Sequence, residues 1–240
     1  MRLSLLAALA LVASAPAAAQ APADTVSLAP GDPSLVTDWM ASGTETLDLR
    51  LVQPMRQNLG TATLTYAVAD GRVTRVQSMT MTTPGGTMTQ SDSLVATTAL
   101  VPLTHNSDSP QGAASLEFMD EGVVGLVTPA QGEAVTVTLL TDAPVFDGGW
   151  ASEIARSLPF ADGYVAKVPA FFAQAPDDAG DMVFSVTGSE QTDAGATAWT
   201  VEAAMGPVTF TYLVDAETRA LLSTTMAPQP GVLLEFVPAQ

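Results

Sequence analysis

The sequence predicts an all-β protein: a curled antiparallel meander, forming an open or flattened barrel of about a dozen strands, with one short docked helix near residues 149–158 and a short N-terminal helix near 33–40. Three observations carry this reading. Apolar and polar residues alternate with period two over most of the chain from Thr44 onward. Clusters of Gly, Pro, Asn and Asp punctuate that alternation at the spacing of a meander. Helical periodicity is confined to two short stretches.

In chain order, the opening MRLSLLAALALVASAPAAAQ carries Arg2, an apolar run from Leu3 to Ala13 and then small residues. That is the layout of a secretory signal peptide over 1–19, with cleavage after Ala19 or Ala21. The apolar run is too short to span a bilayer, and no cysteine follows it that could carry a lipid anchor. The expected destination is the periplasm or the extracellular space. Residues 20–30 read as a loose, proline-bounded lead-in, and 31–240 as a single β domain. In GDPSLVTDWM, Asp32 is placed to cap a helix and Pro33 to open it. Leu35, Val36, Trp39 and Met40 fall at helical spacing behind them.

The strands follow. LDLRL puts Leu47, Leu49 and Leu51 on one face, and TATLTYAV does the same with Ala62, Leu64, Tyr66 and Val68. Asp70 and Gly71 sit between two such runs and tolerate the positive φ of a tight hairpin turn. Further runs are SLVATTALVPL, ASLEFM, VVGLV and AVTVTLL, with HNSDSPQG at 105–112 read as a turn. Beyond the helix come YVAKVPAFF, MVFSVTGSE, TAWTVEA, VTFTYLV, ALLSTTM and VLLEFV. A membrane barrel is disfavoured, because many of these runs are shorter than the roughly 9 to 11 residues a membrane strand needs, and aromatics make up only 6% of the chain.

The helix lies within PVFDGGWASEIARSLPF, residues 144–160. Asp147 can cap it, Glu153 suits its first turn, and Pro159 stops it after Leu158. Trp150, Ile154 and Leu158 form one apolar stripe, with Ser152, Glu153 and Arg156 facing away. So short a helix is marginal alone, and its stripe must be buried as a plug on the concave face or one end of the sheet.

Composition excludes several functions. A formal net charge of −17 repels phosphate backbones, so no nucleic-acid partner is expected. The absence of cysteine rules out thiol nucleophiles, disulfides and cysteine-based metal sites. His105 is the sole histidine; with Ser107, Asp108 and Ser109 it would have to build a triad inside one turn, and no Gly-x-Ser-x-Gly elbow exists, so it reads as an exposed turn histidine. Asp177, Asp178 and Asp181 around Gly180 lack the ordered ligand spacing of a calcium loop and read as a solvated hairpin. No metal, cofactor or catalytic residue is expected.

The order of features resembles a family of uncharacterised exported bacterial β proteins, the domain-of-unknown-function 3108 type. The resemblance runs over roughly 44–238. It is carried by Phe146 and Asp147 before the helix, Leu158 and Pro159 at its end, and Val186, Gly188 and Glu190 in VTGSE. It implies a curled sheet similar to lipoprotein-localisation carriers of the LolA and LolB type, which enclose acyl chains beneath helices, and it implies no established catalytic residues.

The expected function is therefore non-enzymatic: binding or carrying an apolar molecule or lipid, or serving as an accessory module at the cell envelope. The candidate pocket is Trp150, Ile154, Leu158, Phe160, Phe171 and Phe184, with Phe172 and Met182 beside them; the same side chains serve equally as core. On the pocket reading, a charged residue at position 150 should abolish uptake and leave the fold. Two alternatives stand beside it: a hydrolase or lyase using a carboxylate pair such as Asp147 and Glu190, and a purely structural interaction domain.

Overall fold

A computed structural model of the chain describes residues 25–83, 86–173, 179–205 and 208–239, so the signal peptide expected at 1–19 lies outside the described residues. Among the described residues the protein is all-β with a single α-helix, α1, at Ala151–Ser157. The described residues form sixteen strands: β1 Val26–Ser27, β2 Gly43–Gln53, β3 Gln57–Ala69, β4 Arg72–Thr83, β5 Gly86–Thr97, β6 Pro102–Ser109, β7 Gly112–Met119, β8 Gly122–Pro129, β9 Val135–Leu140, β10 Phe146–Asp147, β11 Val165–Phe171, β12 Ala179–Gln191, β13 Thr197–Met205, β14 Val208–Asp215, β15 Leu221–Gln229 and β16 Val232–Pro238.

All sixteen belong to one sheet, ordered β1-β11-β12-β13-β14-β15-β16-β2-β3-β4-β5-β6-β7-β8-β9, with β10 also on β11. Pairing is antiparallel except at one end, where β1 and β10 run parallel to β11. The sheet curls without closing: β9 and β1 stay at opposite ends, and β10 packs on β6. A β16–β2 pairing joins the two sequence halves side by side.

The larger strand count has two sources. SLVATTALVPL, read as one run, is broken by a turn in which Leu100 adopts φ 59°, dividing β5 from β6. The two-residue strands β1 and β10 are too short to show a period. The hairpin at Asp70 and Gly71 forms as expected, with φ of 51° and 72°.

The N-terminal helix expected at 33–40 is not there; the segment is a series of turns. Asp32 accepts from the Ser34 N–H as a turn rather than a helix cap, and the Val36 N–H is spent on the Ser157 carbonyl at the end of α1. Docking against α1 thus takes the backbone groups that a helix would have used. The lead-in is partly placed as well: β1 pairs with β11, and Leu28 is buried.

The main core surrounds α1. Trp150, Ile154 and Leu158 pack with Phe146, Phe184, Leu94 and the inward residues of β2–β5 and β11–β14. A smaller cluster, Leu116, Phe118, Val123, Val137 and Phe171, lies beneath β7–β9. Glu153 and Arg156, expected to face away from the stripe, are also buried, because the curled sheet covers the helix on more than one side.

Candidate functional site

The site begins with one cross-strand row. Backbone register sets Tyr66 of β3 opposite Arg75 of β4, Arg75 opposite Leu94 of β5, Leu94 opposite His105 of β6, and His105 opposite Leu116 of β7. Directly opposed residues share a face, and this face is the concave one, since Leu94 and Leu116 are core. Alternation therefore carries an arginine and a histidine inward along with the leucines.

Arg75 meets α1 there. Its Nη1 donates to both carboxylate oxygens of Glu153 at 3.1 and 3.0 Å, and its Nη2 donates to Asp92 Oδ1 at 3.2 Å. Tyr66 Oη donates to Glu153 Oε1 at 2.7 Å, and Ser152 Oγ donates to Oε2 at 2.9 Å. The guanidinium also stands 5.5 Å from the centre of the Trp150 ring, a cation–π contact. Burial by itself would raise the Glu153 carboxyl, yet Arg75, the Tyr66 hydroxyl and Arg156 hold it below the usual glutamate range. For Asp92 the balance reverses: burial raises its carboxyl, and Arg75 only partly offsets the rise.

The helix end is fixed by two more arginines. Arg219 Nη1 donates to the Arg156 and Leu158 carbonyls at 3.0 and 2.7 Å, filling acceptors that the end of a helix leaves open. Arg156 returns a bond from Nε to the Arg219 carbonyl at 2.6 Å and pairs with Glu45. Its guanidinium covers the Trp39 ring at 3.8 Å.

The start of the helix carries the second polar pair. Asp147 Oδ1 accepts from the Gly149 N–H at 2.9 Å, the cap expected from sequence, here on a 3-10 turn over Gly148–Trp150 that leads into α1. Asp147 Oδ2 lies 2.9 Å from His105 Nδ1. That is ion-pair distance, but the approach is off the hydrogen-bonding line, leaving both atoms buried without an aligned partner, as are Arg75 Nε and Trp150 Nε1. The glycines of DGGW are required by space: a Cβ on Gly148 would lie 2.5 Å from two ring carbons of Phe172, and one on Gly149 would lie 2.9 Å from a Leu94 methyl.

Beside this polar seam opens a cleft of about 770 Å³. One wall is polar and comes from β5 and β6: Asp92, His105 and Ser107, with Asp147 at the floor. The facing wall is apolar: Phe172 with Met205, Val208, Phe210 and Met226 from β13–β15, where Phe210 and Met226 are direct cross-strand partners. A second hollow of about 420 Å³ under β7 and β8 shares Ser107, Ser109 and Ala173 with it.

Of the six sequence-chosen pocket residues, Phe171 lines the cleft. Trp150, Ile154, Leu158 and Phe184 are fully buried in the main core, and Phe160 stacks on Trp199 at 5.8 Å beneath Arg219. Position 150 is therefore the wrong place for a charge that spares the fold. Asp147 and Glu190 do not meet. Asp147 and Ala179 both pair with Phe171, whereas Glu190 is exposed eleven residues further along β12 (190 − 179), roughly 35 Å of strand away.

His105 is not an exposed turn residue, since β6 continues to Ser109 and leaves only Pro110 and Gln111 to turn. Asp181 pairs with Lys167, and Asp177 and Asp178 lie outside the described residues. Among the described residues no three acidic or histidine side chains gather as a metal set.

Arg75, Asp92 and Glu153 were missed from sequence. The available signal was parity: Arg75 is two residues from Val73, and Asp92 two from Leu94, both wholly buried.

Together these features define a class: an open, curled β-sheet protein with an internal helix and a two-sided cleft at that helix's start. The chain belongs to the family described as protein of unknown function (DUF3108), whose model matches residues 46–225. No curated protein matches the chain, and no solved structure does either. No helix among the described residues is long and apolar enough to cross a membrane.

Proposed function

We propose that the protein is an exported, non-enzymatic binder or carrier of an apolar or amphipathic molecule at the cell envelope. The observation that carries this is the apolar wall of the cleft. Phe172, Met205, Val208, Phe210 and Met226 are only half-buried, so they offer contact surface that the fold itself leaves unfilled. The cleft volume of about 770 Å³ falls in the range of roughly 300 to 1,000 Å³ that small-molecule sites occupy. Methionine on such a wall adapts to ligands of differing shape. The leader-like sequence at 1–19 supports an exported destination, periplasmic or extracellular.

The test is native mass spectrometry of the chain made by export in a bacterial host, followed by organic extraction. Retained lipid-mass species, lost in Phe210→Asp, are expected. Apo protein that takes up no added acyl-chain probe would overturn the reading and favour an interaction domain.

A further inference from the structure

We propose that the ligand of this cleft is an amphipathic amine: an apolar chain or ring seated on the Phe172–Phe210–Met226 wall, with a protonated amino group against Asp92, His105 and Ser107. The inference rests on the carrier reading and specifies the headgroup that the polar wall selects.

The polar wall accepts hydrogen bonds and carries excess negative charge. Asp92 gives Oδ1 to Arg75, and its other oxygen has no protein partner and is not sealed from solvent. His105 is about 9% exposed; its Nδ1 is turned into the protein against Asp147, while its Nε2 has no protein partner and opens on the cleft. The Ser107 hydroxyl stands directly across the ladder from Asp92 and also has no protein hydrogen bond. Two unspent acceptors, the Asp92 oxygen and the Ser107 hydroxyl, thus converge from adjacent strands beside the edge of the His105 ring, with Asp92 held from behind by Arg75. An ammonium group, with three donors and no acceptor, matches such a set.

Charge points the same way. Asp92 and Glu153 share one guanidinium, that of Arg75, Asp147 stands against His105, and no lysine or arginine is among the described residues lining the cleft. Asp181, at the rim, is already matched by Lys167. An alkyl carboxylate placed here would bring its charge against Asp92 with nothing to compensate it; an ammonium would complete the set.

The experiment is calorimetric titration of the exported full chain with dodecylammonium, dodecanol and dodecanoate. Each is kept below its micelle threshold, at neutral pH and in physiological salt so that the overall −17 charge is screened. Dodecylammonium is expected to bind at least about tenfold more tightly than dodecanol, with dodecanoate weakest. Asp92→Asn and, separately, Ser107→Lys should each lower amine affinity by about tenfold or more and leave dodecanol unchanged. Ser107 is partly exposed and unbonded, so its variant keeps the test alive should Asp92→Asn disturb Arg75. Equal binding of all three probes, or amine binding indifferent to both variants, would overturn the headgroup assignment and leave the carrier reading standing. Binding of none would remove the carrier reading itself.

Discussion

His105 Nδ1 lies 2.9 Å from Asp147 Oδ2, joining the middle of strand β6 to the residue that caps the 3-10 turn leading into the internal helix. The two are far apart in sequence and on strands that do not pair, so the contact records how tightly the sheet end folds over β6. It also makes Asp147 serve two partners with its two oxygens.

Asp147→Ala should lose both. Removing a cap costs about 1 kcal/mol, and the close approach to the His105 imidazole is lost with it. Asp147→Asn keeps an oxygen for Gly149 and should cost less. Urea unfolding of the two variants checks the order, and equal losses would mean that the cap is not separable from the His105 contact.

Glu153→Gln is expected to be among the most damaging single polar changes, at about 3–5 kcal/mol, because it leaves the buried Arg75 charge with Asp92 as its one remaining carboxylate. The double variant Arg75→Met, Glu153→Leu should be much less unstable than the sum of its single changes. A double-mutant cycle by chemical denaturation reads that coupling, and additive losses would deny it.

The same pair sets a pH dependence. Glu153 is depressed in the fold, so its stabilisation is complete above the ordinary glutamate range of about 4.3 and is lost as pH falls through the lower folded value. Asp92 is raised, and its contribution has the opposite sign: protonation relieves a cost as pH falls into the window above its ordinary value. The stability gap between the wild type and Glu153→Gln should therefore narrow on acidification below the glutamate range. A gap constant with pH would show that Glu153 is not charged in the folded protein.

Gly148→Ala should push the Phe172 ring off its seat, costing about 1–3 kcal/mol and reshaping the apolar wall. Probe affinity is expected to fall further than for Gly163→Ala, where a Cβ meets nothing within 4 Å, and which therefore controls for strain alone at its φ of 76°.

The strands, the Asp70–Gly71 hairpin and the helix bounded by Asp147 and Pro159 were legible because each depends on residues within a few positions of one another. Period-two alternation and turn chemistry are local properties of the chain. The 33–40 segment shows the limit of that locality: its helical spacing was real, but Val36 and Trp39 bond to Ser157 instead.

Composition and local patterning thus settle an all-β chain with a short punctuated helix, a strongly acidic charge and no thiol chemistry. The tertiary structure alone decided which polar residues face inward together. Alternation assigns Arg75, Asp92 and His105 to a face, but it does not say that β16 pairs with β2, that β10 comes over β6, or that Glu153 descends onto Arg75. Those meetings follow from the curl of a whole sheet around one helix. The curl is fixed by burying apolar surface across strands remote in sequence, and the buried charges settle where they find each other.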